Sequence, residues 1–226
     1  ASGECVGGIV GWIRGEGHDV RYDGNYTSYI KITECTNSAD VSGTDRVGGI
    51  TGYCEYLVSE ISFSTNTGNI TGNLFVGGYA GQANNTTMKN LTNNQTITGK
   101  AYMGGIVGYA GKLDTCVNNG TLTVVGFHLD ENSNMLSYVG GIAGFATSAV
   151  GCTNNQPIDA SNGGSYVGGI AGYIAATRSQ NAEFKNNKNH GEIVGTTVVG
   201  GIFGEIAVQS VNNQESILIT TNTNDA

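Results

Sequence analysis

Charge is scarce in this chain. Only 12% of its 226 residues are Asp, Glu, Lys or Arg, against the ~25% typical of soluble domains. Ten basic residues against eighteen acidic ones leave a formal charge of −8. A nucleic-acid interface needs a basic stripe to meet phosphates, and ten scattered cations do not make one. The same shortage disfavours anionic lipid. No apolar run approaches the ~18 residues of a membrane span, so none is expected. Proline occurs once, at Pro157. Cysteine occurs five times, at Cys5, Cys35, Cys54, Cys116 and Cys152, with no C-x-x-C pair. That spacing argues against zinc and thioredoxin-like sites, and an odd count cannot pair fully within one chain. No metal or cofactor motif is legible. A G-G-x-G-x-D calcium coil would need an Asp that every glycine motif lacks. A phosphate loop would need a Lys before a helix.

Glycine is what the chain has in excess, with 37 residues, and it is not scattered. A motif V-G-G-I-x-G-(aromatic) starts at Val6, Val47, Val76, Met103, Val139, Val167 and Val199. The hydrophobe after the glycine pair is Ile9, Ile50, Tyr79, Ile106, Ile142, Ile170 or Ile202. The last position is Trp12, Tyr53, Tyr109, Phe145 or Tyr173, with Gln82 and Glu205 as exceptions. A second motif alternates with it, an Asn four residues before a branched hydrophobe: Asn37/Val41, Asn66/Ile70, Asn93/Ile97, Asn118/Leu122, Asn154/Ile158, Asn189/Ile193 and Asn213/Ile217.

Repetition at such a period predicts a solenoid. One unit of about 27 to 41 residues cannot bury its apolar face alone, whereas stacked units form a continuous core. Helix is excluded by the density of Gly, each of which costs about 1 kcal/mol against Ala inside a helix. The expected fold is therefore all-β, a single parallel β-solenoid over 1–226 of about seven coils, each with a V-G-G-I-x-G strand and an Asn turn. The Val row is expected to form one inward stack with the Ile row beside it. Fixed glycines imply close backbone approach or positive φ. The Asn is expected to form an amide ladder between coils and to sit at a left-handed corner. Two insertions break the pattern, 13–34 and 123–138, and loops on a regular scaffold are where function usually sits.

The copies V-G-G-I-V-G-W, M-G-G-I-V-G-Y and V-G-G-I-A-G-F, with C-V-N-N-G-T-L between them, resemble the GLUG-motif repeat family of surface and secreted proteins. The resemblance covers nearly the whole chain, which mostly has Ile where the family's name carries Leu. It implies a solenoid displayed outside the cell, and no catalytic residue.

The function expected from these residues is non-enzymatic: a secreted structural subunit stacking head-to-tail on itself, or the stalk of a surface adhesin. The alternative is a glycan-binding or glycan-processing β-helix enzyme. Its carboxylates would come from Glu16, Asp19 and Asp23 or from Asp114, Asp130 and Glu131. Thr-x-Thr pairs at Thr96/Thr98, Thr121/Thr123 and Thr221/Thr223 are too few for a flat ice-binding array. N-glycosylation sequons stand at Asn25, Asn69, Asn84, Asn85, Asn90, Asn94 and Asn119, used only if the source glycosylates. The candidate subunit junction is Val6 and Ile9 at one end with Asn213, Ile217 and Ile219 at the other. Cys5 beside it is the cysteine expected to be bonded or buried across the joint. Cys116 and Cys152, each two residues before the repeat Asn, are expected to stack as a disulfide or as paired thiols.

Overall fold

The computed structural model describes residues 3–14, 30–55, 58–127, 137–176, 182–208 and 217–226. Among them are strands and no helix, and the strands pair in parallel. The V-G-G strands make a seven-stranded sheet, from Cys5–Gly7 through Arg46–Gly48, Leu74–Gly77, Ala101–Gly104, Tyr138–Gly140 and Tyr166–Gly168 to Val198–Gly200. Its register is motif on motif: Val6 lies beside Val47, Val47 beside Val76, Val76 beside Met103, and so on to Val167 beside Val199. The chain then turns at the glycine pair into a twelve-stranded sheet. This sheet holds the I-x-G-aromatic strands and, after them, strands such as Val58–Ser62, Ser148–Val150 and Ala182–Lys185. The Asn corner follows, and a six-stranded sheet carrying Val41, Ile70, Ile97, Leu122, Ile158 and Ile193 leads back to the next V-G-G.

The solenoid was legible as two motifs, but its interior is two columns. One contains Val47, Val76, Met103, Val139 and Val167 packed on Ile70, Ile97 and Ile158. The other contains Ile50, Tyr79, Ile106, Ile142 and Ile170 packed on Ile61, Met88, Leu113 and Phe184. The Val and Ile rows are both buried within the stack, yet they belong to different columns. Between them runs a polar seam. Asn37 donates from Nδ2 to Asn66 Oδ1 at 2.8 Å, and Asn93 to Asn118 at 2.9 Å. The chain continues from Asn118 to Asn154 at 3.0 Å, to Asn189 at 2.8 Å and to Asn224 at 2.7 Å. Each amide also closes its own corner, as when Asn118 donates to Gly120 O and accepts from Gly120 N. Two donors and two acceptors are thereby satisfied inside the fold, which removes the penalty of burying an amide.

The glycines are fixed by space and not by φ. At the second position, a methyl on Gly105 would press into Asn118 Cγ at 2.5 Å, and one on Gly141 would stand 2.7 Å from Asn154 Cβ. At the first position, a methyl on Gly48 would lie 2.6 Å from Ala80 Cα, and at the third a methyl on Gly52 would lie 2.5 Å from Val6 N. Of the two explanations open from sequence, close approach holds. Positive φ among glycines occurs only at Gly126, Gly151 and Gly163 in the described residues, all outside the motif.

Two expectations are corrected. The left-handed corner lies three residues before the Asn, at Glu34, Phe63, Asn90, Thr115, Gly151, Asn186 and Thr221, because the ladder amide must itself be held extended between two strands. In addition, the residue that continues the Asn row after Asn189 is Asn224, and not the Asn213 expected from spacing. Asn213 itself lies outside the described residues. Ile217–Thr220 belongs to the strand before the corner, with Ile217 beside Ala182 and Ile219 beside Phe184.

Candidate functional site

Three surfaces of the solenoid carry chemistry beyond packing. The first is an aromatic ribbon. The residue before each motif Val and the aromatic that ends the motif form two adjacent rows. Tyr109 stacks on Phe145 at 4.2 Å with planes 2° apart, and Phe145 on Tyr173 at 5.7 Å. In the other row Phe75 meets Tyr102 at 4.5 Å, and Tyr102 meets Tyr138 at 4.8 Å. Where Gln82 replaces the aromatic, Arg46 fills the place. Its Nε donates to Gln82 Oε1 at 2.7 Å, and its guanidinium stands 4.9 Å from the Tyr53 ring. The rings stack coil on coil, so most faces are spent on each other. Burial raises the Tyr138 phenol, with its tyrosine neighbours and Glu205 adding to the effect.

The second surface is formed by the two end coils of the described stack. At one end Ile9 is 46% exposed and Trp12 47%; at the other Val199 is 46% exposed and Ile219 51%. Val6 is half-buried. Val6, Ile9, Val199 and Ile219 share rows with fully buried residues inside the stack, such as Val47, Ile50, Val167 and Phe184, whereas Trp12 belongs to the outer row of half-buried rings. Of the sequence-stated junction residues, Val6, Ile9 and Ile219 lie on these end faces. Ile217 lies on the last strand of its sheet.

The third surface is the Asn corner, where the ladder is interrupted once. The corner strands form a two-stranded sheet, Thr36–Asn37 with Thr65–Asn66, and a separate five-stranded sheet that starts at Thr92–Asn93. The gap falls beside Tyr79, the one motif hydrophobe that is not Ile. Tyr79 is 1% exposed, and its hydroxyl donates to Thr92 O at 2.7 Å. Burial raises this phenol, while hydrogen bonding from the backbones of Asn66 and Thr92 pulls the other way. The hydroxyl thus lies between the two coils where an amide bond would otherwise run. Outside it is a shallow groove of about 330 Å³ lined by Phe63, Thr65, Asn90 and Asn94 among others. In the sequence Tyr79 stands as one hydrophobe among those of its row, and nothing there points to an opening.

The remaining sequence-stated residues fall as follows. Asn69, Asn85, Asn94 and Asn119 are exposed, and Asn84 and Asn90 are half-buried. Asn119 donates to Asn94 and accepts from Asn155, a second, outer amide row. Asn25 lies outside the described residues, as do Glu16, Asp19, Asp23, Asp130 and Glu131. Asp114 is paired with Lys89 at 3.2 Å on the surface. Cys116 and Cys152 lie in register in adjacent coils, both fully buried and both free thiols. Burial, then the neighbouring Cys152, raises the Cys116 thiol well above its ordinary value. Cys5 is half-buried and free. Among the described residues no three His, Cys, Asp or Glu converge as metal ligands, and no helix is long and apolar enough to cross a membrane. Compared with known proteins, the chain matches no family model, no curated protein and no solved structure.

Proposed function

We propose that this chain is a non-enzymatic structural rod of the extracellular surface, which lengthens by placing one end face on the other, as a filament subunit or as a stalk. The observation that carries this reading is the match between the end faces. Val6, Ile9 and Trp12 occupy the same rows as Val199, Ile202 and Glu205, and every internal pair of those rows is already joined in register. A stacked edge with open N–H and C=O groups and half-exposed apolar side chains is a template for another coil. A head-to-tail contact of this kind does not close, so it gives a linear assembly. The resemblance to the GLUG-motif repeats supports display outside the cell.

The test is negative-stain microscopy of the purified chain over a concentration series, beside an Ile9→Asp, Ile219→Asp variant. Linear particles that shorten in the variant support the rod. Single short particles at every concentration overturn end-on assembly.

A further inference from the structure

The interruption at Tyr79 leaves main-chain groups without the partners that their equivalents have. At other corners the residue before the Asn donates to the coil below, as Thr65 N does to Cys35 O, Val117 N to Leu91 O and Thr153 N to Cys116 O. The residue after the Asn does the same, as Thr67 N to Asn37 O, Asn119 N to Asn93 O and Asn155 N to Asn118 O. Among the described residues the two bonds that would join the coils at the gap, Thr92 N to Ser64 O and Asn94 N to Asn66 O, are not made. One wall of the groove therefore offers the carbonyls of Ser64 and Asn66 and the other the Asn94 N–H, while the Thr92 backbone is engaged by the Tyr79 hydroxyl.

The strands on either side of the corner remain directly paired. Ala80 lies beside Thr51, Met88 beside Ile61 and Ile70 beside Ile97. The flanking strands are thus held near one strand spacing, ~4.8 Å, so the opening is confined to the corner, where the two corner strands are not paired, and an extra peptide strand does not fit into it. A hydroxyl does. It is a small neutral group that accepts from an N–H and donates to a C=O at once. Tyr79 demonstrates this at the inner end of the gap, between the backbones of Asn66 and Thr92. At the rim stands Phe63, 60% exposed and held in the left-handed region at φ 47°. The remaining lining is Thr hydroxyls and Asn amides with no charged side chain.

We propose that this groove binds a neutral sugar residue, whose hydroxyls bridge the open carbonyls and the Asn94 N–H and whose apolar ring face rests on Phe63. A neutral lining disfavours acidic sugars, because nothing there compensates a buried carboxylate. The site does not depend on end-on assembly, since the groove lies on the side of the rod.

The test uses the chain made without N-glycosylation, so that no glycan carried on Asn90 or Asn94 fills the groove. It is applied to an array of neutral and sialylated oligosaccharides, and hits are titrated by calorimetry. The informative variant is Tyr79→Ile, which restores the residue found at the equivalent position in the other motifs and should close the ladder between Asn66 and Asn93. The expected result is binding of neutral glycans, weakened about tenfold or more by Phe63→Ala, as a lost ring contact predicts. Binding should vanish in Tyr79→Ile at an undiminished melting temperature. Binding of no neutral glycan, which would mean that water alone fills the gap, overturns the proposal. So does equal binding by the folded Tyr79→Ile variant.

Discussion

Asn118 donates from Nδ2 to Asn154 Oδ1 across 3.0 Å, although 36 residues of chain separate them. Both side chains are fully buried. The same bond recurs along the stack, so the amide seam ties successive coils together while the two apolar columns fill the space on either side. Replacing Asn118 by Leu removes the acceptor of Asn93 and the donor to Asn154 and leaves both buried. Each such orphaned group costs about 1–3 kcal/mol, so Asn118→Leu is expected to lower stability by several kcal/mol in urea unfolding. Exposed Asn119→Leu is expected to stay within about 1 kcal/mol of the parent.

Gly141 faces that seam. A methyl there would press into Gly169 O of the neighbouring coil and stand 2.7 Å from Asn154 Cβ. Gly141→Ala is therefore expected to destabilise the fold by about 1–3 kcal/mol, the usual range for overpacking. Thermal melts monitored by circular dichroism will show it.

The left-handed corner makes the opposite prediction. Thr115 has φ 53° and Gly151 has φ 65° at equivalent places. An L-residue in that region pays about 1–2 kcal/mol in sterics. Thr115→Gly is expected to be neutral or stabilising, and Gly151→Ala destabilising by about 1 kcal/mol, both read from unfolding midpoints.

The thiols give a chemical readout. Cys54, Cys116 and Cys152 are buried, whereas Cys5 and Cys35 are half-buried. Burial pushes the Cys54 thiol up to about 11 from 9.0, and only a thiolate is reactive. Alkylation at pH 8 in native buffer is expected to modify Cys5 and Cys35 alone, and all five cysteines only in urea. The sign for stability follows from the raised folded value. Protonated Cys54 contributes its full share below the ordinary thiol range, and that share is lost as pH rises from about 9 towards 11.

Particular residues show what the sequence made legible. The V-G-G strands and the Asn ladder repeat in identity, because a close approach admits only glycine and a seam of amides admits only Asn. The strand that carries Ile61, Met88, Leu113, Ala149 and Phe184 escaped the two-motif reading, since an apolar column accepts any size that fills it. The corner row escaped it too, because Glu34, Phe63, Thr115 and Asn186 share a backbone conformation and no chemistry. Asn213 imitated the motif by standing four residues before Ile217, while Asn224 takes the ladder position. The groove depends on one side chain, Tyr79, whose hydroxyl reaches a neighbouring coil that spacing alone does not reveal.

End-on assembly can be read from a single covalent bond. Cys5 and Val198 occupy one row, Cys5 beside Arg46 at one end and Val198 beside Tyr166 at the other. If the end faces meet in register, Val198→Cys lies one strand spacing from Cys5 of the next copy, within the ~4.4–6.8 Å between Cα atoms that a disulfide spans. Mild oxidation of Val198→Cys should then give a ladder of covalent multimers on a non-reducing gel, and a Cys5→Ser, Val198→Cys chain should give none. Monomer alone from Val198→Cys, under conditions that oxidise exposed thiols, would contradict the account.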